Sequence, residues 1–372
     1  MKMAAGIPLA RQVGRVPSSL VPLDAGEEVR YCNIVEDAIT VDVHQHPFVL
    51  PEVMEQLIDL VRVGRYQWGY DAARAGGWTA ITTANVFGGL KSTADMSFVE
   101  YDDVAAEVGN MVADVAMQEG ITRVGNAADI EAAKQQGNLG FMPTLEHLPI
   151  GNRIERLDQL YSMGVRLAGI TYNRRNYIGD GMYERNPGGL SDFGIEVVRR
   201  MNDLGMAIDL SHVSTPSALD AIEFSRVPVA FSHNAAYTLR PNRRTRHDEE
   251  LAACAENGGL ICITAVPNSL SDDPEQDIEC VLDHYDYMVN LVGVDHVGIG
   301  TDTTIGDHVA FHRVVMGRDG PDQLPAPYLN GLESPADGGN IVRGLIRRGY
   351  SDENVRKIIG GNAMDFFRRV MG

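Results

Sequence analysis

The chain has 372 residues, of which 44% are hydrophobic and 22% charged, as in ordinary globular proteins. Its formal net charge of −19, with no basic stripe longer than residues 240–246, argues against a nucleic-acid partner. Residues 1–17 do not form a secretory signal, no apolar run approaches the roughly 18 residues of a membrane span, and the four cysteines show no C-x-x-C spacing. We therefore expect a cytoplasmic protein with no membrane association and no disulfide framework.

Short β-rich runs alternate with helical stretches along the chain. Several runs are almost continuously apolar, which is typical of strands buried on both faces of a parallel sheet. The apolar spacing predicts helices at 154–163 and 192–204, the second with Asp192 as its N-cap. The predicted strands are 38–43, 78–86, 139–145, 165–171, 206–210, 227–231, 259–264 and 296–300.

Eight strand–helix units predict an α/β fold, a closed (β/α)8 TIM barrel of the metal-dependent hydrolase type. The alternative is an open doubly wound sheet, which usually carries a glycine fingerprint after its first strand, and that fingerprint is missing here. We expect residues 1–37 to form an N-terminal extension that packs on the barrel. Residues 38–372 are expected to form one catalytic domain, with 317–339 as an addition around the barrel.

Histidines and acidic residues collect where the predicted strands end. The carboxyl ends of barrel strands form the mouth where the catalytic groups of this fold lie. Each residue alone has an ordinary explanation, such as a structural histidine or a helix cap, but residues without a shared function should scatter between both ends of the strands. The residues are His44 and His46 after the first strand, Glu146 after the third, His212 after the fifth, His233 after the sixth and Asp302 after the eighth.

The stretch VDVHQHPF contains the two closest of these histidines. Imidazoles at positions i and i+2 of a strand project to the same side, so His44 and His46 can converge on one point. We expect this strand to end at Pro47. His-x-His occurs often by chance, so its function as a metal site depends on ligands from elsewhere in the chain.

The types of these side chains suit a centre of two divalent metal ions. Neutral imidazoles and carboxylates are ligands for Zn²⁺, and one carboxylate can bridge two ions. We expect His44 and His46 to hold one ion, His212 and His233 the other, and Glu146 both.

Asp302 remains as the catalytic residue of the proposed site. Two divalent ions can lower the pKa of a water molecule between them and polarise a carbonyl group. Asp302 would take a proton from this water and later pass it to the leaving nitrogen, acting first as a general base and then as a general acid.

The chain resembles the membrane (renal) dipeptidase family, the M19 metallopeptidases of the amidohydrolase superfamily. The resemblance covers roughly residues 38–370, and the segments IDLSHVS and PVAFSH, with the helix between them, are its most specific part. It implies a barrel with a binuclear zinc site, a bridging glutamate and a catalytic aspartate, and it implies a homodimer. The matching segments are GLSDFG (189–194), IDLSHVS (208–214), PVAFSH (228–233), VGIGTD (297–302) and GGNA (360–363).

The resemblance also implies two substrate-binding residues. The family arginine that holds the substrate carboxylate matches Arg244, although Arg243 and Arg246 are close in sequence. The family's substrate-contacting histidine is replaced here by Tyr172, which either donates a hydrogen bond to a developing oxyanion or is an aromatic residue of the barrel rim. A second departure is His46, because the family usually has an aspartate there; the change removes one negative charge from the first metal site.

These features predict a metal-dependent dipeptidase that acts on a small-molecule substrate. The alternative is an amidohydrolase with the same centre that cleaves a non-peptide amide, either an N-acyl amino acid or a lactam. It is suggested by Tyr172 and by the charged loop 174–182, which we expect to overhang the site. A binding protein that has lost its chemistry is disfavoured, because every expected ligand position holds a competent residue.

Overall fold

The structure is a computed structural model that describes residues 6–64, 66–87, 90, 99–315 and 327–372. Parallel strands form a barrel, and most helices surround it. The described strands are β1 (Val41–Asp42), β2 (His46–Val49), β3 (Ala80–Thr82), β4 (Ile121–Arg123), β5 (Leu139–Met142), β6 (Thr144–Leu145), β7 (Leu167–Gly169), β8 (Ala207–Asp209), β9 (Ala230–Asn234), β10 (Leu260–Ile263), β11 (Gln276–Asp277), β12 (Val297–Ile299), β13 (Thr304–Ile305) and β14 (Leu329–Asn330). The described α-helices are α1 (Ala25–Asp37), α2 (Leu57–Val63), α3 (Tyr70–Ala75), α4 (Tyr101–Val115), α5 (Ala127–Gln136), α6 (Glu155–Met163), α7 (Asp192–Leu204), α8 (Thr215–Phe224), α9 (Asp248–Glu256), α10 (Ile278–Val292), α11 (His308–Val315), α12 (Gly339–Arg347), α13 (Asp352–Arg356) and α14 (Asn362–Met371).

Among the described residues, eight strand positions form the barrel, and all their pairings are parallel. β1 pairs with β3 and β3 with β5; β6 follows β5 directly after Pro143 and pairs with β7. The sheet continues through β8, β9 and β10 to β12. The backbone N–H of Val43 donates to the carbonyl oxygen of Ile299 (2.8 Å), which joins the last strand to the first. The predicted α/β barrel is therefore confirmed, and the open sheet is excluded.

Each predicted run contains or overlaps a barrel strand, but all the strands except the sixth are shorter than the runs. The apolar residues beside them are buried without taking part in the ladder of hydrogen bonds, so hydrophobicity alone overestimates strand length. The sixth strand is also displaced: β9 begins at Ala230, after Pro228, which has no N–H to donate to a ladder, and continues to Asn234.

One strand was missed by the sequence analysis, and one local prediction was wrong. β4 was not predicted, because it is half exposed and lacks an apolar run, yet it pairs with β5. The first strand does not carry both histidines to Pro47: β1 ends at Asp42, and His46 begins β2, which contains the proline. The missing N–H of Pro47 is tolerated because the pairing of β2 with β13 rests on other groups, including the N–H of His46, which donates to the carbonyl oxygen of Thr303 (2.9 Å).

The helix α7 has the predicted bounds but a different N-cap. The side chain of Ser191 accepts a hydrogen bond from the N–H of Gly194 (2.9 Å), so Ser191 is the cap and Asp192 is the first helical residue. An aspartate in the first turn still stabilises a helix, because the N-terminal end carries partial positive charge. The helix ends at Gly205, whose φ of 69° is left-handed.

The segment before the barrel packs against α12. Arg343 forms an ion pair with Glu28 of α1, and its Nε donates to the carbonyl oxygen of Val21 (2.7 Å). Asn340 accepts a hydrogen bond from the N–H of Val21 (2.9 Å). The division into an extension (1–37) and one catalytic domain (38–372) stays a prediction. Of the predicted addition at 317–339, residues 317–326 lie outside the described part of the chain.

The two ends of the barrel differ in polarity. At the N-terminal ends of the strands, apolar residues such as Val41, Ala80 and Leu260 form a cluster with Phe367 of α14. The opposite mouth holds buried histidines and carboxylates, so the apolar end serves stability and the polar end is available for chemistry. All four cysteines are free thiols. Within the described ranges, no helix has both the length and the apolar character to cross a membrane.

Candidate metal centre

The six side chains predicted to meet lie together at the C-terminal mouth of the barrel. All are largely buried, and the side chain of Asp302 is the most exposed of them at 14%. They come from five separate parts of the chain, and the parallel strands bring them together. In chain order they are His44 after β1, His46 at the start of β2, Glu146 after β6, His212 after β8, His233 in β9 and Asp302 after β12.

One half of the cluster consists of Glu146, His212 and His233. The Nε2 of His212 lies 3.0 Å from Oε1 of Glu146 and 3.0 Å from Nε2 of His233. The Nε2 of His233 lies 4.0 Å from the same carboxylate oxygen. One potential ligand atom from each residue lies within 4.8 Å of the others, so the three could bind one metal ion together.

The other half consists of His44, His46 and the second oxygen of Glu146. The Nε2 of His46 lies 3.9 Å from Oε2 of Glu146, and the ligand atoms of the three residues again lie within 4.8 Å of one another. Asp302 lies beside this half, with its Oδ1 3.1 Å from Nε2 of His46 and 3.7 Å from Nε2 of His44. The carboxylate of Glu146 therefore lies between the two groups, as a bridging ligand must.

Hydrogen bonds on the outer side of His212 and His233 determine which ring nitrogens carry protons. The Nδ1 of His212 lies 3.1 Å from Oδ1 of Asn173, which can only accept. The Nδ1 of His233 lies 2.7 Å from Oγ of Ser232, whose own proton goes to Asp209 (2.5 Å). Both rings therefore donate from Nδ1, and both Nε2 atoms present lone pairs.

The centre of the cluster is thus rich in electron pairs and poor in protons. The two Nε2 atoms lie 3.0 Å apart and face an oxygen of Glu146, and their lone pairs repel one another unless a proton or a metal ion lies between them. The Nε2 of His44 and Oε2 of Glu146 are also buried, and neither has a hydrogen-bond partner in the described part of the chain. Imidazole nitrogens and carboxylate oxygens are the donors that divalent transition metals prefer, so the residues fit a metal ion.

Burial keeps most of the histidines neutral, as metal binding requires. It lowers the pKa of His44 to about 3 and holds the pKa values of His212 and His233 well below the usual value. Burial also raises the pKa of Glu146 to about 8. Without a cation, the Glu146 carboxyl therefore tends to keep its proton, and a bound metal ion would favour the charged carboxylate.

His46 and Asp302 behave differently because they are partners. Burial alone would lower the pKa of His46, but the nearby carboxylates, chiefly Asp302 and Glu146, together outweigh burial and raise that pKa. Burial alone would raise the pKa of Asp302, but the hydrogen bond with His46 and the nearby His44 lower it. Asp302 is therefore a carboxylate in this site, and a carboxylate can accept a proton.

Arg244 is the arginine of its loop that reaches the cluster. Its Nη1 donates to the carbonyl oxygen of Ser211 (2.9 Å), and its Nη2 lies 3.9 Å from Oδ2 of Asp302. Arg246 is buried in an ion pair with Glu250 (2.9 Å), and the guanidinium of Arg243 lies 6.0 Å from the ring centre of Tyr183. The sequence alone left three candidates, and the fold brings Arg244 to the site.

Tyr172 lies against the half of the cluster that contains His212 and His233. Its ring stacks on His212 with 4.1 Å between ring centres, and it is 7% exposed. Burial raises its pKa well above the usual value, so the phenol is neutral and can donate a hydrogen bond. The loop 174–182 packs here as well, since the N–H of Met182 donates to the carbonyl oxygen of His212 (2.9 Å).

A second layer of polar residues was not assigned from the sequence. Asp42 accepts hydrogen bonds from the N–H (2.9 Å) and Oγ1 (2.6 Å) of Thr301 and from Nε2 of Gln45 (2.8 Å). Asp209 accepts from Oγ of Ser211 (2.6 Å) and Oγ of Ser232 (2.5 Å), and its Oδ2 lies 3.9 Å from Nδ1 of His233. The signal was present: both aspartates end buried strands, two and three residues before a histidine. A charged residue in a buried strand indicates a function for its neighbours.

Two glycines allow the backbone to approach the candidate ligands. A Cβ atom on Gly169, at the end of β7, would collide with the carbonyl oxygen of Glu146. A Cβ atom on Gly300, after β12, would collide with the carbonyl oxygen of Ser232. Both positions therefore require glycine if the strand ends are to stay where they are.

The fold and the cluster together define a parallel α/β barrel of the amidohydrolase type with a histidine–carboxylate centre that could bind metal ions. The chain belongs to the membrane dipeptidase family (peptidase family M19), whose family model matches residues 29–371. The predicted family is thereby confirmed.

Individual relatives agree with this family. The chain is 35% identical to "Dipeptidase tcpJ" of Claviceps purpurea (strain 20.1) over 224 residues, which are 59% of this chain and 48% of that protein, so the match spans about half of the relative. An amidohydrolase from Pseudomonas aeruginosa superimposes with a TM-score of 0.78 at 26% identity, covering 92% of this chain and 99% of that one. A metallo peptidase from Rhodobacter sphaeroides, liganded with a phosphinate mimic of the dipeptide L-Ala-D-Ala, shares the fold with a TM-score of 0.72 at 20% identity, covering 90% of this chain and all of that one.

Proposed function

We propose that the chain is a dipeptidase that uses a pair of divalent metal ions, with Zn²⁺ as the expected ion. His44, His46 and Glu146 would hold one ion, and Glu146, His212 and His233 the other. The observation that carries the proposal is the position of the Nε2 atoms of His212 and His233, which lie 3.0 Å apart and face the carboxyl group of Glu146. A bound cation would stabilise this buried arrangement of electron-pair donors.

The metal ions would supply the acidity of a bound water and the polarisation of the scissile carbonyl. Asp302 would accept the proton of the attacking water, because it is a carboxylate within reach of both halves of the cluster: its Oδ1 lies 3.1 Å from Nε2 of His46 and its Oδ2 4.0 Å from Nε2 of His233. It would then deliver the proton to the leaving nitrogen. The peptide bond breaks as that nitrogen becomes an amine.

Two further side chains would position the substrate. Arg244 would bind the free C-terminal carboxylate of a dipeptide, because guanidinium groups pair with carboxylates in a fork geometry. Tyr172 would donate a hydrogen bond to the oxygen of the scissile carbonyl as negative charge develops there. Its place beside His212, with 4.1 Å between the rings, supports this role.

A non-peptide amide is the second candidate substrate. Tyr172 differs in charge and size from the histidine that the family has at this position, and the loop 174–182 lies next to it. By reshaping the pocket, they would allow an N-acyl amino acid or a lactam as the substrate. The catalytic residues would be the same in both cases, since both reactions attack an amide carbonyl with water.

The test is a substrate panel on metal-stripped and reconstituted enzyme. The dipeptidase proposal predicts loss of dipeptide hydrolysis on chelation and recovery with Zn²⁺. Turnover of N-acyl amino acids or lactams without dipeptide cleavage would replace it with the second candidate. No turnover of any amide by metal-loaded protein would contradict both.

We also propose a location and an oligomeric state for the protein. Four free thiols agree with a reducing compartment, and we propose a cytoplasmic location. A homodimer is proposed from the family. Light scattering at micromolar concentration tests it, and a monomer mass would contradict it.

A further inference from the structure

We propose that Ser232 is a positioning residue that orients one histidine in each half of the metal centre, so that its single hydroxyl couples the affinities of the two metal sites. The inference rests on the proposed metal-dependent function and concerns how the protein prepares its ligands. It starts from the position of the Ser232 Oγ, which lies 2.7 Å from Nδ1 of His233 and 3.2 Å from Nδ1 of His44.

The hydroxyl of Ser232 donates its proton to one acceptor, the carboxylate of Asp209. A serine hydroxyl donates one hydrogen bond and can accept two. The closest neighbour of Ser232 Oγ is Oδ2 of Asp209 (2.5 Å), a carboxylate oxygen in a buried strand. Because the proton goes to Asp209, the two lone pairs of the oxygen accept from the Nδ1–H groups of His44 and His233.

The two histidine rings are arranged to share this acceptor. They stack with 3.5 Å between ring centres and an angle of 23° between planes. Stacked rings that donate from Nδ1 to one oxygen must both direct Nε2 away from it, toward the cluster. His44 belongs to the half with His46, and His233 to the half with His212. One oxygen atom therefore fixes the tautomer of a candidate ligand on each side.

The protein holds this oxygen firmly. The backbone N–H of Ser232 donates to Oδ1 of Asp209 (3.0 Å). Its carbonyl oxygen packs so tightly against Gly300 that no Cβ fits there. Ser232 and Asp209 are at most 1% exposed, so no bulk water competes for these hydrogen bonds. A carboxylate that acts through a hydroxyl on two imidazoles raises the basicity of both and limits their rotation.

The neighbouring Ser211 provides a matched control. Its Oγ donates to the other oxygen of the same carboxylate, Oδ1 of Asp209 (2.6 Å), and it is equally buried. It accepts from the backbone N–H of His233 (3.1 Å) and lies 3.2 Å from Oγ of Ser232, but within the described part of the chain it has no hydrogen bond to a histidine ring. Ser211→Ala and Ser232→Ala therefore remove similar hydroxyls from the same network, and Ser232→Ala alone removes the acceptor of the rings.

The experiment measures the dissociation constants of both metal sites by competition with a chromophoric chelator for Zn²⁺. Loss of an outer hydrogen-bond partner of a ligand usually weakens metal binding about 10- to 100-fold. Ser232→Ala is expected to lose this amount at both sites, while Ser211→Ala stays within about threefold of wild type. Equal losses in the two variants, a loss at one site only, or no loss in Ser232→Ala would overturn the inference.

A spectroscopic measurement distinguishes a lost orientation of the two histidine rings from a general loss of stability of the variant. In the Co²⁺-substituted protein, the Nδ1–H protons of bound histidines give strongly shifted NMR signals that disappear only when they exchange with solvent. Two such signals are expected to exchange faster in Ser232→Ala than in wild type and to be unchanged in Ser211→Ala. Unchanged exchange in Ser232→Ala contradicts the role even if that variant is unstable. Wild-type protein that binds no metal would contradict the proposed function as well, whereas metal-binding wild type with normal Ser232→Ala contradicts this inference alone.

Discussion

Asp302 lies 3.1 Å from His46, measured from Oδ1 to Nε2, although the two residues come from distant parts of the chain. The backbone of Asp302 is left-handed, with a φ of 57°. This region is unfavourable for most residues, and conformations of this kind cost about 1–3 kcal/mol. Its N–H donates to the carbonyl oxygen of His44 (2.8 Å), which holds the carboxylate over the cluster. Such strain is typical of functional sites.

The first prediction concerns this carboxylate. Asp302→Asn should fold and bind metal, because the ligand set is intact, but an amide cannot accept the proton of the attacking water. The kcat for dipeptide hydrolysis should fall about 10²- to 10⁴-fold. Asp307→Asn is the control: Asp307 pairs with Arg15 (3.5 Å) and lies outside the cluster, so kcat should stay near wild type. An Asp302→Asn enzyme with wild-type kcat would remove the proton-transfer role.

The second prediction concerns the C-terminal carboxylate of the substrate. Arg244→Met should raise KM for free dipeptides about 10- to 100-fold, because a charge-assisted pair contributes about 1.5–3 kcal/mol. Dipeptide amides, which lack that carboxylate, should be affected much less. The control is Arg243→Met, since the guanidinium of Arg243 lies over the ring of Tyr183, 6.0 Å from its centre. Equal effects on free and amidated dipeptides would show that Arg244 does not bind the carboxylate.

The third prediction separates the two roles considered for Tyr172. Tyr172→Phe keeps the stacked ring on His212 and removes only the hydroxyl. If the phenol donates to the developing oxyanion, kcat should fall about 10²-fold or more with little change in KM or metal content. Tyr177→Phe, at an exposed position of the loop 174–182, should behave as wild type. A Tyr172→Phe enzyme with unchanged kcat would leave Tyr172 as an aromatic residue of the rim.

The fourth prediction concerns stability and pH. Both ring nitrogens of His308 face acceptors: Nδ1 lies 3.1 Å from Oε1 of Glu333, and Nε2 lies 3.1 Å from the carbonyl oxygen of Pro327. Burial lowers the pKa of His308, but Glu333, the carbonyl oxygen of Pro327 and Asp307 together outweigh burial and raise it. A raised folded-state pKa gives stability that is complete below the unfolded value and is lost as the pH rises through the folded value.

His308→Gln should therefore destabilise the protein more at acidic than at alkaline pH. The loss in free energy of unfolding is expected to be about 1–3 kcal/mol near pH 6 and smaller near pH 9. Thermal melts of wild type and variant at both pH values measure it. In a Glu333→Gln background, the larger effect at low pH should disappear. A loss that grows with pH would have the wrong sign for a protonated His308.

The cluster was accessible from sequence because of one geometric rule. Parallel barrel strands end at one mouth, so histidines and carboxylates after different strands must meet there. This rule found Glu146, His212, His233 and Asp302 without knowledge of any contact. It was less successful locally, since His46 begins a second strand that the apolar pattern did not indicate.

Other features depend on tertiary contacts that no local pattern contains. No local pattern distinguishes Arg244 from Arg243 and Arg246, because loop geometry decides which guanidinium turns inward; the family resemblance assigned it. The role of Ser232 depends on the stacking of His44 and His233, which are far apart in sequence. The strand β4 was missed because half-exposed residues give no clear alternation. In each case the deciding interaction is with a distant part of the chain.

The most direct test is a crystal structure of metal-loaded protein with anomalous data collected on both sides of the zinc absorption edge. The account predicts two anomalous peaks about 3.5–4 Å apart, one near His44 and His46, the other near His212 and His233, with Glu146 between them. A mouth without anomalous peaks, or metal bound only elsewhere on the protein, would contradict it.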